Sequence, residues 1–304
     1  MRRLVRCAIE EDFGRSVDWT SHWLVEPDAR GALTIRSRSP GVVCGLRAID
    51  VLLDEFHTRL AATCHVEDRA AVEREQPVLR LSGALRDLLA VERTLLNLLS
   101  HLSGIATLTA RFVRAVREFP AVICDTRKTL PGWRRLAKYA VRCGGGFNHR
   151  SGLFDAVLIK DNHLAAWAAA HGKSDDDPSI VAEAIASARD WLKSTPPTWF
   201  GHQAPVIEVE VDRLDQFDMA LAARPDLILL DNFPLADLRS AVRERDRRAP
   251  DVGLEASGGI GLDDVTAVAA TGVDRISIGA ITHSAPALDL GADWEKEEAS
   301  STRT

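Results

Sequence analysis

The sequence predicts an α/β protein: a mixed α+β module from about Ile9 to Leu89, then a parallel sheet of βα units wound as a barrel. Two observations predict it. After Ala121, six short apolar runs alternate with helical patterns, the order that gives parallel strands joined by crossover helices. Each of those runs also ends in a polar or glycine cluster, whereas a doubly wound sheet would gather its site into one crevice between two strands. Six strands fall short of the usual eight, so the barrel is either incomplete or closed by elements the pattern hides.

In the first part, Thr34–Arg38 alternates like a strand, Gly41–Gly45 is a short apolar run between glycines, and Ala48 to Leu60 has helical spacing. Val66 to Glu73 and Val78 to Ser82 read as strands around a turn at Gln76-Pro77, and Asp18-Trp19-Thr20-Ser21 as a helix cap or turn. Val91 to Phe119 is one long helical pattern or two in series, with Leu95, Leu99, Leu102, Ala106, Thr109 and Val113 on one side. Pro131 opens, and Gly144 follows, a helix expected over 131–142. The six strands are Ala121–Cys124, Ala156–Ile159, Val206–Val211, Leu227–Leu230, Val252–Glu255 and Arg275–Ile278, with helices expected near 179–193, 213–223, 235–247 and 262–271. Residues 171–178 and 194–205 read as surface linkers, with Trp191, Trp199 and Phe200 placed to cover the barrel or a partner.

With 304 residues, 46% hydrophobic and 27% charged, the chain can bury a large core and is not disordered in bulk. A net charge of −6 argues against nucleic acid as its main partner. There is no apolar run of membrane-spanning length, about eighteen residues or more, and Met1–Arg6 lacks a signal-peptide core, so a cytoplasmic location is expected. The five cysteines form no Cys-x-x-Cys pair and suggest reduced, mostly buried thiols rather than a zinc site or disulfide framework.

Against this acidic background, Arg127, Lys128, Arg134, Arg135, Lys138, Arg142, His149, Arg150, Lys160 and His163 crowd one stretch. Arg134, Lys138 and Arg142 fit a solvated helix face or an anion site equally well. Arg127-Lys128, His149-Arg150 and Lys160 sit in loops, where donors can converge on a small anion. Ser257-Gly258-Gly259 follows a strand and precedes a helical pattern, a phosphate-site arrangement that Gly279 could complete. Glu208 and Glu210 share one strand face, and with Asp231 on the next strand they suit Mg²⁺ held partly by phosphates, or ion pairs with the lysines. No nucleophile triad is present, so the chemistry is one of positioning and electrostatics on a multiply charged anion.

Glu92–Asn97, Asp125–Thr129, Gly144–Gly146 with His149-Arg150, Lys160–His163, Glu208–Val211, Leu230–Asn232, Glu255–Ile260 and Gly279 with Thr282–Ser284 together resemble the quinolinate phosphoribosyltransferase family, in order from about Ala8 to Gly291. The resemblance implies an N-terminal α/β sandwich (1–105) joined to an incomplete α/β barrel (106–304), with the C-terminal tail able to pack on the first domain. It implies that quinolinate and phosphoribosyl pyrophosphate give nicotinate mononucleotide, pyrophosphate and CO₂, with Mg²⁺, in NAD biosynthesis, in a homodimer or assembly of dimers. Arg127, His149 and Arg150, with Arg93 from the partner, would hold the pyridine dicarboxylate. Lys128 and Lys160 would lie between it and the phosphoribosyl donor, and Glu210 and Asp231 would hold the ribose and Mg²⁺. Ser257, Gly258, Gly259, Gly279 and His283 would take the 5′-phosphate. Glu210 is preferred to Glu208 on its spacing to Asp231, and Val17 stands where the family commonly has glycine.

Overall fold

The structure, a computed structural model, describes residues 1–196 and 205–295. Trp199 and Phe200 lie outside the described residues. The chain divides into two units, neither continuous in sequence. One takes Met1–Ala110, Thr129–Gly145 and the described residues from Ile281 on; the other takes Arg111–Lys128 and Gly146–Ala280.

The first unit holds α1 (Arg2–Phe13), α2 (Trp19–Leu24), β1 (Arg30–Ser37), β2 (Gly41–Val42), α3 (Ile49–Glu55), β3 (Ala61–Cys64), β4 (Ala71–Val72), β5 (Pro77–Ala84) and most of α4 (Leu85–Ala115). Its antiparallel sheet has the order β12-β1-β5-β3, with β12 at Leu290–Glu295. Leu33 and Ile35 of β1 and Leu79 and Leu81 of β5 are fully buried. So is the stripe Leu88, Val91, Leu95, Leu99 and Leu102 of α4, whose three- and four-residue steps place it on one helix face. A Cβ on Gly104 would come 2.9 Å from Ala287 Cα, so only glycine lets this stretch approach the α4 backbone.

Some expected elements move. The Asp18 carboxylate accepts the Ser21 N–H at 3.1 Å and starts α2, which the sequence showed only as a cap or turn. Val66 to Glu73 is not one strand: β4 covers only Ala71–Val72. Arg69 has φ 82, and Asp68 turns its carboxylate onto the Gly45 and Leu46 N–H groups, both at 2.8 Å. The neighbouring strand is instead β3, whose exposed Ala-Ala-Thr-Cys carries little apolar signal. The helix expected at 131–142 is α5 (Arg134–Cys143), within the first unit, with residues 131–133 forming a turn ahead of it.

The second unit carries one all-parallel sheet: β6 (Val122–Cys124), β7 (Val157–Ile159), β8 (Ile207–Val211), β9 (Leu227–Asp231), β10 (Gly253–Ser257) and β11 (Arg275–Ser277). Their order is β7-β8-β9-β10-β11-β6. Consecutive strands are neighbours and the first strand joins the last, as in a barrel, but β6 and β7 do not pair. The barrel is therefore open between its first two strands, and the strand order never reverses as a doubly wound sheet requires. The connecting helices are α6 (Asp161–Ala170), α7 (Ser179–Ser194), α8 (Leu214–Ala223), α9 (Leu235–Arg248) and the single turn α10 (Val265–Ala269), followed by α11 (Ala280–His283) at the junction of the units. The α6 helix has no counterpart among the expected elements, because its alanine-rich sequence lacks a clear polar face.

Candidate active site

The C-terminal ends of the strands converge on a cavity of about 330 Å³ lined by Arg127, Lys128, His149, Arg150, Lys160, Glu210, Asp231 and Ser257, with Thr126, Leu158, Leu229 and Ser277. Eight of the thirteen expected site residues thus meet in one pocket within the second unit.

Each side chain is aimed by its local fold. Asp125, fully buried just past β6, accepts the His149 N–H at 2.9 Å and the Asn148 side-chain amide at 2.6 Å, and its own N–H donates to Phe147 O at 3.1 Å. One carboxylate thereby ties the Arg127-Lys128 loop to the His149-Arg150 loop. Thr126 Oγ1 accepts the Lys128 N–H at 3.0 Å. Lys160 is the residue before α6, its N–H donating to His163 Nδ1 at 3.1 Å and its Nζ lying 2.5 Å from Glu210 Oε2. His163 therefore caps α6.

Arg127 is the informative member. Its Nε is buried and has no hydrogen-bond partner. Arg150 spends one nitrogen on Ala156 O at 3.3 Å; burial, and then the charge of Arg127, pull its pKa down. Two guanidinium groups crowd each other at one wall with donors to spare, an arrangement that an anion of more than one carboxylate would relieve.

His149 is engaged at both ring nitrogens. Nε2 lies 3.0 Å from Glu208 Oε2 and 3.4 Å from Glu255 Oε1, and Nδ1 accepts the Arg150 N–H at 2.7 Å. Burial lowers its pKa, but the hydrogen bond and charge of Glu208 and the charge of Glu255 outweigh that and raise it. Glu208 and Glu255 are buried beneath the pocket, where Arg275 Nε lies 2.8 Å from Glu255 Oε2 and Ser277 Oγ donates to Glu255 Oε1. Sequence reading missed Glu255, Arg275 and Asp125 as site residues. The signal was the strand parity: 208 and 210, 255 and 257, and 275 and 277 each share a face.

The glycine loop is shaped by Asn232, at φ 57, whose N–H donates to Ser257 O at 2.9 Å. Gly258 has φ 104, and a Cβ there would lie 2.7 Å from the Asn232 nitrogen, so glycine is required on both counts. The helix expected from 262 starts only at Val265 and is one turn long, so its dipole offers little, and the donors available to an anion here are the loop's own N–H groups.

The other five expected residues, Gly258 among them, do not line this cavity. Gly259 and Gly279 belong to the second unit, Arg93 and His283 to the first. Arg93 is exposed on α4 and makes no ion pair among the described residues. His283 Nδ1 contacts Ser284 Oγ at 2.6 Å. Arg134 and Lys138 are no solvated face: Arg134 donates to Thr129 Oγ1 at 3.2 Å and Lys138 is buried. Trp191 lines a separate apolar cleft along β7 with Leu153 and Phe154.

Glu210 and Asp231, on adjacent strands, offer hard oxygen donors. The clustered donor sets among the described residues are His149–Glu208–Glu255 and Cys44–Asp68–Cys143, so Glu210 and Asp231 form no all-protein cage. Two carboxylates fit Mg²⁺ whose other ligands come from substrate phosphates and water.

An open α/β barrel with a cation-rich pocket at its strand ends, a carboxylate pair and a glycine loop defines a protein built for a small, multiply anionic, phosphorylated ligand. The chain belongs to the quinolinate phosphoribosyltransferase family: residues 18–103 match its N-terminal domain and 105–293 its C-terminal domain. It is 44% identical over 294 residues, 96% of each chain, to the nicotinate-nucleotide pyrophosphorylase (carboxylating) of Mycobacterium leprae. It is 37% identical to the probable enzyme of that name from Bacillus subtilis, covering 96% of this chain and 93% of the other. Its fold superposes on the Francisella tularensis nicotinate-nucleotide pyrophosphorylase with a TM-score of 0.83 at 36% identity, over 97% of this chain and 95% of that one.

Proposed function

We propose that this chain transfers the phosphoribosyl group of phosphoribosyl pyrophosphate to the ring nitrogen of quinolinate and releases CO₂, giving nicotinate mononucleotide and pyrophosphate for NAD biosynthesis. The names of its relatives support the reaction; the observation that carries it at the site is the buried, unpartnered Arg127 Nε beside Arg150. In this reading Arg127 and Arg150 pair with the two ring carboxylates, and Arg93 of a second subunit completes the acid pocket. His149, held at both nitrogens, positions the Arg150 main chain. Lys128 and Lys160 neutralise charge between the acid and the diphosphate. Ser257, Gly258, Gly259 and Gly279 take the 5′-phosphate.

Glu210 and Asp231 hold the ribose hydroxyls and would hold Mg²⁺, which when bound would supply positive charge to offset the departing diphosphate. As the anomeric bond breaks, the two carboxylates stabilise positive charge on the ribose. Once the ring nitrogen is ribosylated it is cationic, so the electron pair left at C2 by CO₂ is stabilised by the adjacent charge. The protein need supply no further cofactor for that step. Among the described residues no helix is long and apolar enough to cross a membrane, which supports a cytoplasmic location, and the exposed Arg93 supports a homodimer with shared sites.

The test is incubation of purified protein with phosphoribosyl pyrophosphate, Mg²⁺ and either quinolinate or nicotinate. Mononucleotide and CO₂ are expected from quinolinate alone, because a site built to pair a charged group rejects an analogue lacking it by about 10⁴-fold. Equal turnover of both acids overturns the assignment of two carboxylate-binding arginines.

A further inference from the structure

Away from the pocket, within the first unit, the thiols of Cys44 and Cys143 and a carboxylate oxygen of Asp68 lie within 4.8 Å of one another. Cys44 follows β2, and Cys143 is the last residue of α5; both are free and buried. Such a trio could hold a soft metal ion, but Asp68 is already committed. Its Oδ1 accepts the N–H groups of Gly45 and Leu46 at 2.8 Å each, and its Oδ2 accepts the Tyr139 hydroxyl at 2.6 Å. A cation would have to break that set, which leaves the two thiols to react with each other. The backbone at Cys44 is fixed as well, its N–H donating to Ser103 Oγ at 2.9 Å and its carbonyl accepting from the same hydroxyl at 3.3 Å.

The two sulfurs are chemically unlike. A hydrogen bond from the Cys44 thiol is the largest influence and brings Cys143 down to about 7 against the opposing effects of burial and the Asp68 charge. Cys44 is pushed up, by that same pairing and by burial. Of the two, Cys143 therefore has the greater thiolate character, the form that attacks oxidants, while Cys44 stays protonated. Cys64 is exposed, but partial burial and nearby carboxylates raise its pKa.

We propose that Cys143 and Cys44 form a redox-active pair that peroxide converts to an intramolecular disulfide. The Cys143 thiolate attacks one peroxide oxygen, the O–O bond breaks, and hydroxide leaves, giving a sulfenic acid. The Cys44 sulfur then displaces the sulfenic hydroxyl, which takes up the Cys44 proton and leaves as water; the hydroxide from the first step takes up the proton that Cys143 lost on ionising, so the products are a disulfide and two waters. Each sulfur is oxidised by one electron and the peroxide is reduced by two. A dithiol reverses the reaction.

The experiment treats the full-length protein with substoichiometric hydrogen peroxide at neutral pH and maps its peptides by mass spectrometry. A Cys44–Cys143 crosslink, lighter by two hydrogens and lost on dithiothreitol treatment, is expected. In Cys44→Ser the resolving thiol is gone, so Cys143 should accumulate as a sulfenic acid trapped by dimedone. Should that variant fail to fold, the wild-type crosslink map decides alone. Oxidation confined to the exposed Cys7 and Cys64, with Cys44 and Cys143 still alkylated as free thiols after unfolding, overturns the proposal.

Discussion

Arg127→Met is expected to make the ligand-free protein more stable and its ligand complex weaker. In the structure the Arg127 Nε is buried without a partner, and its charge is one of the influences that lower the Arg150 pKa. An unsatisfied buried donor costs about 1–3 kcal/mol. Methionine keeps the unbranched apolar stem and removes both that cost and the repulsion of Arg150. A gain of about 1 kcal/mol or more corresponds to roughly 2–4 °C in the melting temperature of a protein of this size. With quinolinate the sign reverses. Hydrogen bonds to a charged carboxylate are worth about 1.5–3 kcal/mol, so affinity should fall by roughly ten- to 150-fold. Differential scanning fluorimetry with and without quinolinate, and calorimetric titration, read the two effects separately. A variant that melts lower than the parent without ligand, yet binds quinolinate within twofold of it, would refute the view that the pocket stores an unpaired charge for its substrate.

Two further outcomes follow from the site. Arg93→Ala and Lys128→Ala should each lose activity by about a hundredfold or more, and mixing them should restore part of it through heterodimers that hold one intact site; demonstrated heterodimers without recovery would remove Arg93 from the neighbouring site. Glu210→Ala and Asp231→Ala should reduce turnover far more than quinolinate affinity, because their partners are the ribose and Mg²⁺; calorimetry showing equal losses in both would place these carboxylates in the acid pocket.

The barrel was legible because its strands are apolar runs that each end at a chemically distinct residue. Lys160, Asp231 and Ser257 fall at or just past the ends of β7, β9 and β10, as their sequence positions implied. What remained hidden depends on contacts distant in sequence. Asp125 looks like part of a cationic motif, and only the fold shows it accepting from residues 148 and 149. The β3 strand is an exposed pairing partner of β5 and carries almost no apolar pattern, so nothing local marks it. The α1 helix buries only Val5 and is tied down instead by Arg2 and Arg6 to Glu55, an ion pairing that no periodicity reveals. The Glu210 choice rested on its spacing to Asp231, and the structure adds a physical distinction: Glu210 lines the cavity, while Glu208 lies beneath it.

That lower level gives the last prediction its force. Barrel interiors are usually filled by branched aliphatic side chains, yet here Glu208 and Glu255 lie one strand-step below the pocket and reach His149 from underneath, with Arg275 paired to Glu255. Burial and the neighbouring Glu208 charge push the Glu255 carboxyl up, and the hydrogen bond and charge of Glu208 are the largest influences that favour a charged His149 ring. This raises the imidazole's pKa although burial opposes it. Charging it means placing a proton on Nδ1, which now accepts the Arg150 N–H, so the titration of His149 is mechanically linked to the loop that carries Arg150. Glu208→Gln keeps the shape and an acceptor but removes one charge, and the His149 pKa should fall. The sign for stability follows from linkage: a pKa raised on folding contributes fully below the unfolded value, about 6.5, and its contribution disappears as pH rises through the folded value. The parent's stability advantage over Glu208→Gln should therefore be larger below pH ~6.5 and shrink as His149 deprotonates. Titrating the His149 ring protons by NMR in both proteins, beside urea unfolding across the same pH range, tests it. A His149 midpoint that stays put or moves up in Glu208→Gln would show that the buried carboxylates do not set the charge of this ring.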